Sequence, residues 1–459
     1  MFIISYFLLF LLFVLYSLKK ENKLINFLTL FGLGYCIFPV IAIVISEIGS
    51  LRFFKLSEKT NLLILFSGVA FFVSYVISSP IIKKLIKLKK VPLESFKKRD
   101  HINIKIMIML NVFAWIFVLP YTIKSIEIIK TDGLNYLRDY ATAGYLFNNT
   151  KLEVIYIWII FPIFIVSGIY AALMMNRWRN KKVKLFICVT IISLLIHSFT
   201  YAARALIVRY MFYFVVSFFV FNNETKKESK TYGNGHKKIA LIVLIIFFCL
   251  ALYITKERSM SLNTFENVIV YYIGPFHLLN FYVENPGFSK LNEHLYGKAT
   301  FGFVYNVIEA AKYFIFKSPY KGSDAEITSV TAISVPIGLG IRMNAGSTAI
   351  YPFLRDFGLL GIFFGFSLLA IVSNIIKYKY QISKTLRKKA VYLMFMYIVF
   401  RLSSSYLELF SPEFLFCLFY IILFSTNLKK ENYGMKCSPK TGHGEKGAKR
   451  AAISYGEVW

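Results

Sequence analysis

Long apolar runs recur along this chain, and they constrain its fold more than any other feature. A helix crosses the hydrocarbon core of a bilayer with about 20 mostly apolar residues, and eleven runs of that order are bounded by charge. Charged residues make up only 17% of the 459 residues, against about 25% in soluble domains. The sequence therefore predicts an all-α polytopic membrane protein. The predicted spans are 1–18, 24–46, 61–82, 104–123, 153–175, 185–203, 205–221, 239–255, 350–374, 390–408 and 411–427.

The distribution of basic residues predicts the orientation. Lys and Arg number 54 against 24 Asp and Glu, an excess that would also suit nucleic acid. Yet 35 of the 54 lie in 19–23, 83–105, 176–184, 222–238, 377–389 and the tail from 428. Basic residues are retained on the cytoplasmic side, so we predict an outward amino terminus, an inward carboxyl terminus and no nucleic-acid partner. The first run lacks a basic segment before it and a cleavage site after it, and we interpret it as a retained span.

Two outward segments are long enough to carry function, 124–152 and 255–349. The second contains two short apolar stretches, 268–283 and 300–316, which could be interfacial amphipathic helices or a re-entrant pair. The predicted organisation is thus 1–254 with spans 1 to 8, the large outward loop 255–349, and 350–427 with spans 9 to 11. The basic, Gly-rich segment 428–459 is predicted to be a disordered cytoplasmic tail.

Several common chemistries have no sequence signal. The chain has no Gly-rich phosphate loop ending in Gly-Lys-Ser/Thr, which argues against coupling to ATP. Its six histidines are scattered, without the spacing of a zinc site. It also has no Asp-x-Asp pair of the kind that holds a sugar nucleotide through a divalent metal. We therefore predict a function that needs no metal and no nucleotide cofactor.

Arginines are concentrated on the predicted outward side. A guanidinium is always charged and binds phosphate oxygens bidentately, so outward arginines at the membrane surface suit a lipid-linked phosphate or pyrophosphate. The alternative is that individual arginines only anchor helix ends at the interface. The candidate pyrophosphate-binding residues are Arg138, Arg204, Arg209, Arg258, Arg342, Arg355 and Arg401.

Three local patterns contain several of these arginines. Tyr201–Arg209 joins two apolar runs with almost no loop, and a helix continuing through it would put His197, Tyr201 and Arg204 on one face. A second helical stripe contains Tyr397, Arg401, Ser404 and Glu408, where Arg401 and Glu408 could equally hold helices together. In the third, 351–361, adjacent Arg355 and Asp356 suggest a positioned cation and a general base, or an ordinary charged helix entrance.

With these features the chain resembles the Wzy-type O-antigen polymerases of bacterial inner membranes. The likeness covers nearly the whole length and rests on the eleven-span plan, the late outward loop and two motifs, Ala203-Arg204-Ala205 and Phe353–Gly361. The related O-antigen ligases typically carry a His-Asn pair before the equivalent helix entrance. This chain has Ser347-Thr348 in about that place, which favours polymerase over ligase.

The resemblance implies glycosyl transfer at the outer face of the membrane, as in lipopolysaccharide biosynthesis. Donor and acceptor would both be undecaprenyl-pyrophosphate-linked oligosaccharides, with membrane lipid around them and a chain-length regulator as a further partner. Arginines would stabilise the pyrophosphate leaving group, Arg204 first and then Arg209, Arg258 and Arg342. The catalytic base would be Asp356, Asp139 or Glu266, and the residues alone do not rank these three. Loop aromatics that could stack on sugars, or anchor at the interface, are Tyr271, Tyr272, Phe276 and Tyr282.

A flippase for lipid-linked oligosaccharides is the main rival from another functional class. It would also be basic and polytopic, but it would be expected to have short loops throughout, which the long 255–349 segment contradicts. A secondary transporter is disfavoured because paired intramembrane carboxylates and half-to-half repeats are absent from the sequence.

Overall fold

The structure is a computed structural model in which residues 1–49, 51–88, 101–142, 145–147, 149–178, 180–225, 235–258, 264–344, 347–406 and 411–426 are described. The predicted disordered tail and the basic segments 89–100 and 226–234 lie outside these ranges.

The described chain is mostly helical, and we number its helices in chain order. They are α1 Phe2–Glu21, α2 Phe27–Ile48, α3 Glu58–Leu88, α4 Ile104–Thr142, α5 Lys151–Arg177, α6 Lys181–Tyr201, α7 Ala205–Thr225, α8 Gly235–Arg258, α9 Thr264–Glu284, α10 Gly302–Phe316, α11 Ser323–Thr331, α12 Ile350–Ile382, α13 Leu386–Arg401 and α14 Glu413–Phe424.

Within the described residues, seven helices are long and apolar enough to cross a membrane, namely α1 to α6 and α12. Helices α7 and α14 contain shorter apolar stretches. Each of the eleven apolar runs found in the sequence coincides with a helix, and so do both short stretches of the 255–349 segment. The prediction of a helical membrane protein is therefore confirmed.

The core is built around α5, whose residues from Pro162 to Met174 are all buried. Helix α3 packs along α12, and α4 packs along α6. Two short antiparallel pairs of strands complete the fold. The strands β1 His101–Ile102 and β4 Ser425–Thr426 join the start of α4 to the end of α14, and β2 Val335–Gly338 pairs with β3 Ile341–Met343 beside α9.

Helix α4 extends beyond 123, where its span is predicted to end, into the segment 124–152. The helix continues to Thr142, broken at Gly133 (φ 84°, ψ 174°), a backbone conformation that favours glycine. Just beyond its predicted end it still contacts α6, where the Ser125 hydroxyl donates a hydrogen bond to the Thr200 carbonyl oxygen at 2.9 Å. This continuation brings Arg138, which follows Gly133, close enough to Arg204 and Tyr271 to interact with them electrostatically.

Helix α12 also differs from its predicted span. It extends past 374 and includes Lys377, which the sequence places in a basic loop. The Lys377 side chain is buried, with Nζ 2.9 Å from Glu21 Oε1 and 3.1 Å from the Tyr75 hydroxyl oxygen. Both residues thus lie in helices, Glu21 at the end of α1 and Lys377 within α12, and each neutralises the charge of the other.

A sharp kink near the start of α12 separates its first turns from the rest of the helix. Gly358 has φ 60° and ψ −138°, a conformation that L side chains rarely adopt. Three residues on, a Cβ added at Gly361 would lie 2.0 Å from the Phe353 carbonyl oxygen. The kink turns Arg355 and Asp356 toward the segment between α9 and α12.

Candidate functional site

Two arginines from distant segments lie over one tyrosine of α9. The Arg204 guanidinium carbon is 5.1 Å from the centroid of the Tyr271 ring, and that of Arg401 is 5.3 Å away. Arg138 interacts electrostatically with both Arg204 and Tyr271. We call Arg138, Arg204 and Arg401 the arginine cluster; all three are half-buried.

The tight connection between α6 and α7 positions Arg204. Helix α6 ends at Tyr201, and Ala202 takes a left-handed conformation (φ 49°, ψ 36°) before α7 begins at Ala205. Arg204 Nη1 donates a hydrogen bond to Thr255 Oγ1 at 2.6 Å. Thr255 in turn donates to the Ala251 carbonyl oxygen at 2.6 Å, which fixes its hydroxyl. The guanidinium is therefore held from two sides, by a hydroxyl and by an aromatic face.

The other two arginines reach the cluster through local breaks in helical structure. Arg138 lies in the short helical segment that follows the Gly133 kink of α4. Arg401 is the last residue of α13, where the chain turns and Ser404 and Ser405 donate their backbone N–H groups to the Arg401 carbonyl oxygen. Three segments that are far apart in sequence thus each contribute an arginine that interacts with Tyr271.

Within the cluster, the positive charges of Arg138 and Arg204 oppose each other. Burial lowers the pKa of Arg204 from its ordinary value, but a guanidinium remains protonated at neutral pH. Like charges gathered in a partly desolvated place repel one another. Among the described residues, no carboxylate lies within 4 Å of the Arg204 guanidinium. This arrangement suits an anion with several oxygens, such as a phosphate or pyrophosphate.

No protein-family model, curated protein or solved structure matches this chain.

Arg209 has a different environment from the cluster. It is buried, and its Nη1 atom lies 2.8 Å from Glu413 Oε1. Its guanidinium carbon lies 4.9 Å from the Tyr397 ring centroid. A buried and neutralised arginine is poorly suited to bind a substrate phosphate, so this ion pair favours a structural role over the predicted pyrophosphate contact.

Arg355 and Asp356 tie the start of α12 to the segment that precedes α10. Arg355 is fully buried; its Nε donates to the Glu293 carbonyl oxygen at 3.1 Å, and its Nη2 lies 3.7 Å from Glu326 Oε2. Asp356, also fully buried, accepts hydrogen bonds from the Ala299 N–H at 3.0 Å and from Thr300 N–H and hydroxyl, both at 2.5 Å. These contacts engage both carboxylate oxygens, which favours an anchoring role over that of catalytic base.

The remaining predicted arginines lie elsewhere. Arg342 is exposed on strand β3 and donates to the Ser334 carbonyl oxygen. Arg258 is the last residue of α8, and its side chain lies outside the described residues. The structure thus brings together three of the seven candidates, Arg138, Arg204 and Arg401.

The other two candidate bases lie on elements that contribute to the cluster. Asp139 is exposed, adjacent to Arg138 in sequence, and its charge favours the charged form of that arginine. Glu266 is half-buried in the first turn of α9, the helix that carries Tyr271. Neither has its two carboxylate oxygens engaged by the hydrogen bonds that hold Asp356.

Two predictions that a set of residues shares one helical face are wrong, because each helix ends before the last residue of the set. His197 and Tyr201 share a face, with ring centroids 5.5 Å apart, and His197 shares a hydrogen bond with the Tyr156 hydroxyl. Arg204 leaves that face because Ala202 ends the helix.

Similarly, α13 ends at Arg401, before Ser404 is reached. Tyr397 contacts Arg209, and Arg401 contacts Tyr271. Glu408 lies outside the described residues.

The aromatic candidates divide into two pairs. Tyr271 and Tyr272 are half-buried, and both interact electrostatically with Arg204. Phe276 and Tyr282 are fully buried in the core, which removes them as platforms for sugar rings. Sequence reasoning missed Thr255, a single hydroxyl at the end of an apolar helix, because nothing local distinguishes it from other interfacial threonines.

Proposed function

We propose that this chain is a membrane glycosyltransferase of the Wzy type. It would polymerise undecaprenyl-pyrophosphate-linked oligosaccharide units into O-antigen or a related polysaccharide, at the outer face of the bacterial inner membrane. The observation that carries the proposal is the convergence of Arg138, Arg204 and Arg401 on Tyr271.

The predicted topology supports an outward site. In the eleven-span arrangement with an outward amino terminus, the segments that carry the cluster all lie on the outer side. The pairing of His101–Ile102 with Ser425–Thr426 joins two segments that this arrangement places on the inner side. The two strands can pair only if they lie on the same side of the membrane, so an even number of spans must separate them. The eleven-span arrangement satisfies this condition.

The reaction that fits the site is displacement at the anomeric carbon. A carboxylate, Asp139 or Glu266, takes the proton of the acceptor hydroxyl. The oxygen attacks C1 of the donor sugar, and the bond from C1 to the pyrophosphate oxygen breaks. The leaving undecaprenyl pyrophosphate keeps the electron pair, and the arginine cluster stabilises the negative charge that develops on it. This route requires no metal ion and no nucleotide.

The decisive experiment compares surface polysaccharide on a gel from a strain lacking this gene, with and without the wild-type copy. The proposal expects a product with a single repeat unit in the mutant and a ladder after complementation. Complete loss of surface-attached units would reject it in favour of a flippase or a ligase. The membrane side on which lipid-linked oligosaccharide accumulates would then distinguish those two.

A further inference from the structure

Helix α10 buries polar side chains and exposes apolar ones, which is the opposite of the pattern in a helix of a soluble protein. Its buried face includes Asn306 and Glu309. Ser323 donates a hydrogen bond from its hydroxyl to Asn306 Oδ1 at 3.2 Å, and Glu309 Oε1 pairs with Lys312 Nζ at 2.7 Å.

The opposite face exposes Val304, Ile308 and Ile315, of which Ile308 is 49% and Ile315 69% exposed. These residues lie at spacings of four and seven, so they form one apolar stripe along the helix. Phe301 and Phe316 extend the exposed apolar surface at the two ends of α10. Water is a poor solvent for such a surface, and a soluble helix normally turns this face to the core.

Two contacts fix the direction of α10 across the bundle. Near its start, the Phe303 ring lies 5.7 Å from the ring of Phe414, in the first turn of α14. Near its end, the Phe314 ring lies under Lys151 Nζ, 6.0 Å from the centroid, at the first residue of α5. These rings are eleven residues apart, or about 16 Å along a helix. Since α5 and α14 pack together, α10 lies across their amino-terminal ends and does not continue either axis.

We propose that α10 is an interfacial helix whose Val304–Ile308–Ile315 face is buried in the outer leaflet of the phospholipid bilayer. The ends of two membrane helices place it at the membrane surface, and its 15 residues are too few to cross. Lys312 borders the apolar stripe, and Lys317 and Lys321 follow the helix, all three exposed. Basic residues beside an apolar face suit the phosphate groups of phospholipids. This inference concerns the membrane surface and is independent of the proposed reaction.

Spin labels on single cysteines test this placement in the full chain. The variants Val304→Cys, Ile308→Cys and Ile315→Cys probe the apolar face, and Ser329→Cys, on the exposed polar surface of α11, is the matched control. The exposed Cys188 and Cys249 are replaced by alanine, as is Cys437, and the buried Cys36 and Cys417 are kept. Each labelled protein is reconstituted in vesicles of phosphatidylethanolamine and phosphatidylglycerol, and its accessibility to oxygen and to a water-soluble nickel chelate is measured.

The proposal expects the ratio of oxygen to nickel accessibility at the three α10 positions to exceed that at Ser329 by roughly threefold or more. The labels should lie at similar depths, about 5–10 Å into the headgroup and acyl boundary. A ratio equal to that at Ser329 would place the face in water and overturn the proposal. A depth that increases steadily from 304 to 315 would indicate a re-entrant helix, and inaccessibility to both reagents would indicate a protein partner; either result would also reject it.

Discussion

Replacing Arg204 by alanine separates a functional role from a structural one. The change removes a charge-assisted hydrogen bond to Thr255, worth about 1.5–3 kcal/mol, and a cation–π contact with Tyr271, worth about 0.5–1 kcal/mol. It also relieves repulsion from Arg138 and the cost of partly desolvating a guanidinium. These effects oppose one another, so we expect the free energy of unfolding to change by only about 1 kcal/mol.

Activity should respond much more strongly. Removing one preorganised donor from a developing negative charge costs about 2.7–4 kcal/mol of transition-state stabilisation, or a factor of about 10²–10³ in rate. Arg204→Lys keeps the charge, but an ammonium cannot donate to Thr255 and lie flat on Tyr271 while also offering a bidentate fork to phosphate. We therefore expect the lysine variant to lose about tenfold, the equivalent of 1.4 kcal/mol.

Thr255→Val tests whether the hydroxyl orients the guanidinium. A less well oriented guanidinium should lose about 1 kcal/mol of transition-state stabilisation, or about fivefold in rate. Because both changes act on the same group, the double variant should be no slower than Arg204→Ala alone.

The assay is polymer length on a gel, using purified protein in proteoliposomes with lipid-linked oligosaccharide, together with the thermal midpoint of each variant. Arg387→Ala, which removes an exposed arginine at the opposite end of α13 from Arg401, is the matched control. The reasoning is refuted if Arg204→Ala keeps a third or more of wild-type activity, or if its loss of activity only follows a loss of folded protein.

Three further outcomes are expected. Asp356→Asn should lower stability by about 2–4 kcal/mol, because an amide replaces a buried acceptor of three hydrogen bonds; a folded but inactive variant in a thermal melt would instead support catalysis. Arg209→Met should destabilise by about 3–5 kcal/mol, and adding Glu413→Leu should recover most of this; equal melting of both variants would contradict a buried ion pair. Burial lowers the pKa of His277 from 6.5 to about 4, so stability should fall by about 3 kcal/mol as pH drops from 6.5 to 4, since only the unfolded chain gains the proton. His277→Gln should make the fall smaller by about that amount in a pH series of melts, and an unchanged slope would assign it to other groups.

The apolar helices could be predicted because hydropathy is a local property of the sequence. Every predicted span coincides with a helix, and even the short stretches at 268–283 and 300–316 are helical. The ends of helices were harder to predict, because contacts with distant residues decide them. Lys377 is buried in α12 beside Glu21, 356 positions away, which neutralises it, and beside the Tyr75 hydroxyl.

The identity of the site could be predicted only in part. Charge and residue type selected seven arginines, and three of them form the cluster. What separates Arg204 from Arg209 is the partner that each meets, Thr255 in one case and Glu413 in the other. Both partners are distant in sequence. The turns at Gly133, Ala202 and Gly358 are similarly decisive, because each redirects a side chain away from the face that helical spacing assigns to it.

The partners of Arg204 also indicate what kind of ligand the site takes. A carboxylate would hold a guanidinium as firmly as Thr255 and Tyr271 do, and Glu413 holds Arg209 in that way. It would, however, cancel the positive charge. A hydroxyl and an aromatic face orient the guanidinium while leaving its charge uncompensated. The charges of Arg204 and Arg138 repel each other, and an anion that binds both guanidinium groups would offset that repulsion. The choice of neutral partners therefore favours a negatively charged ligand over a purely structural role for Arg204.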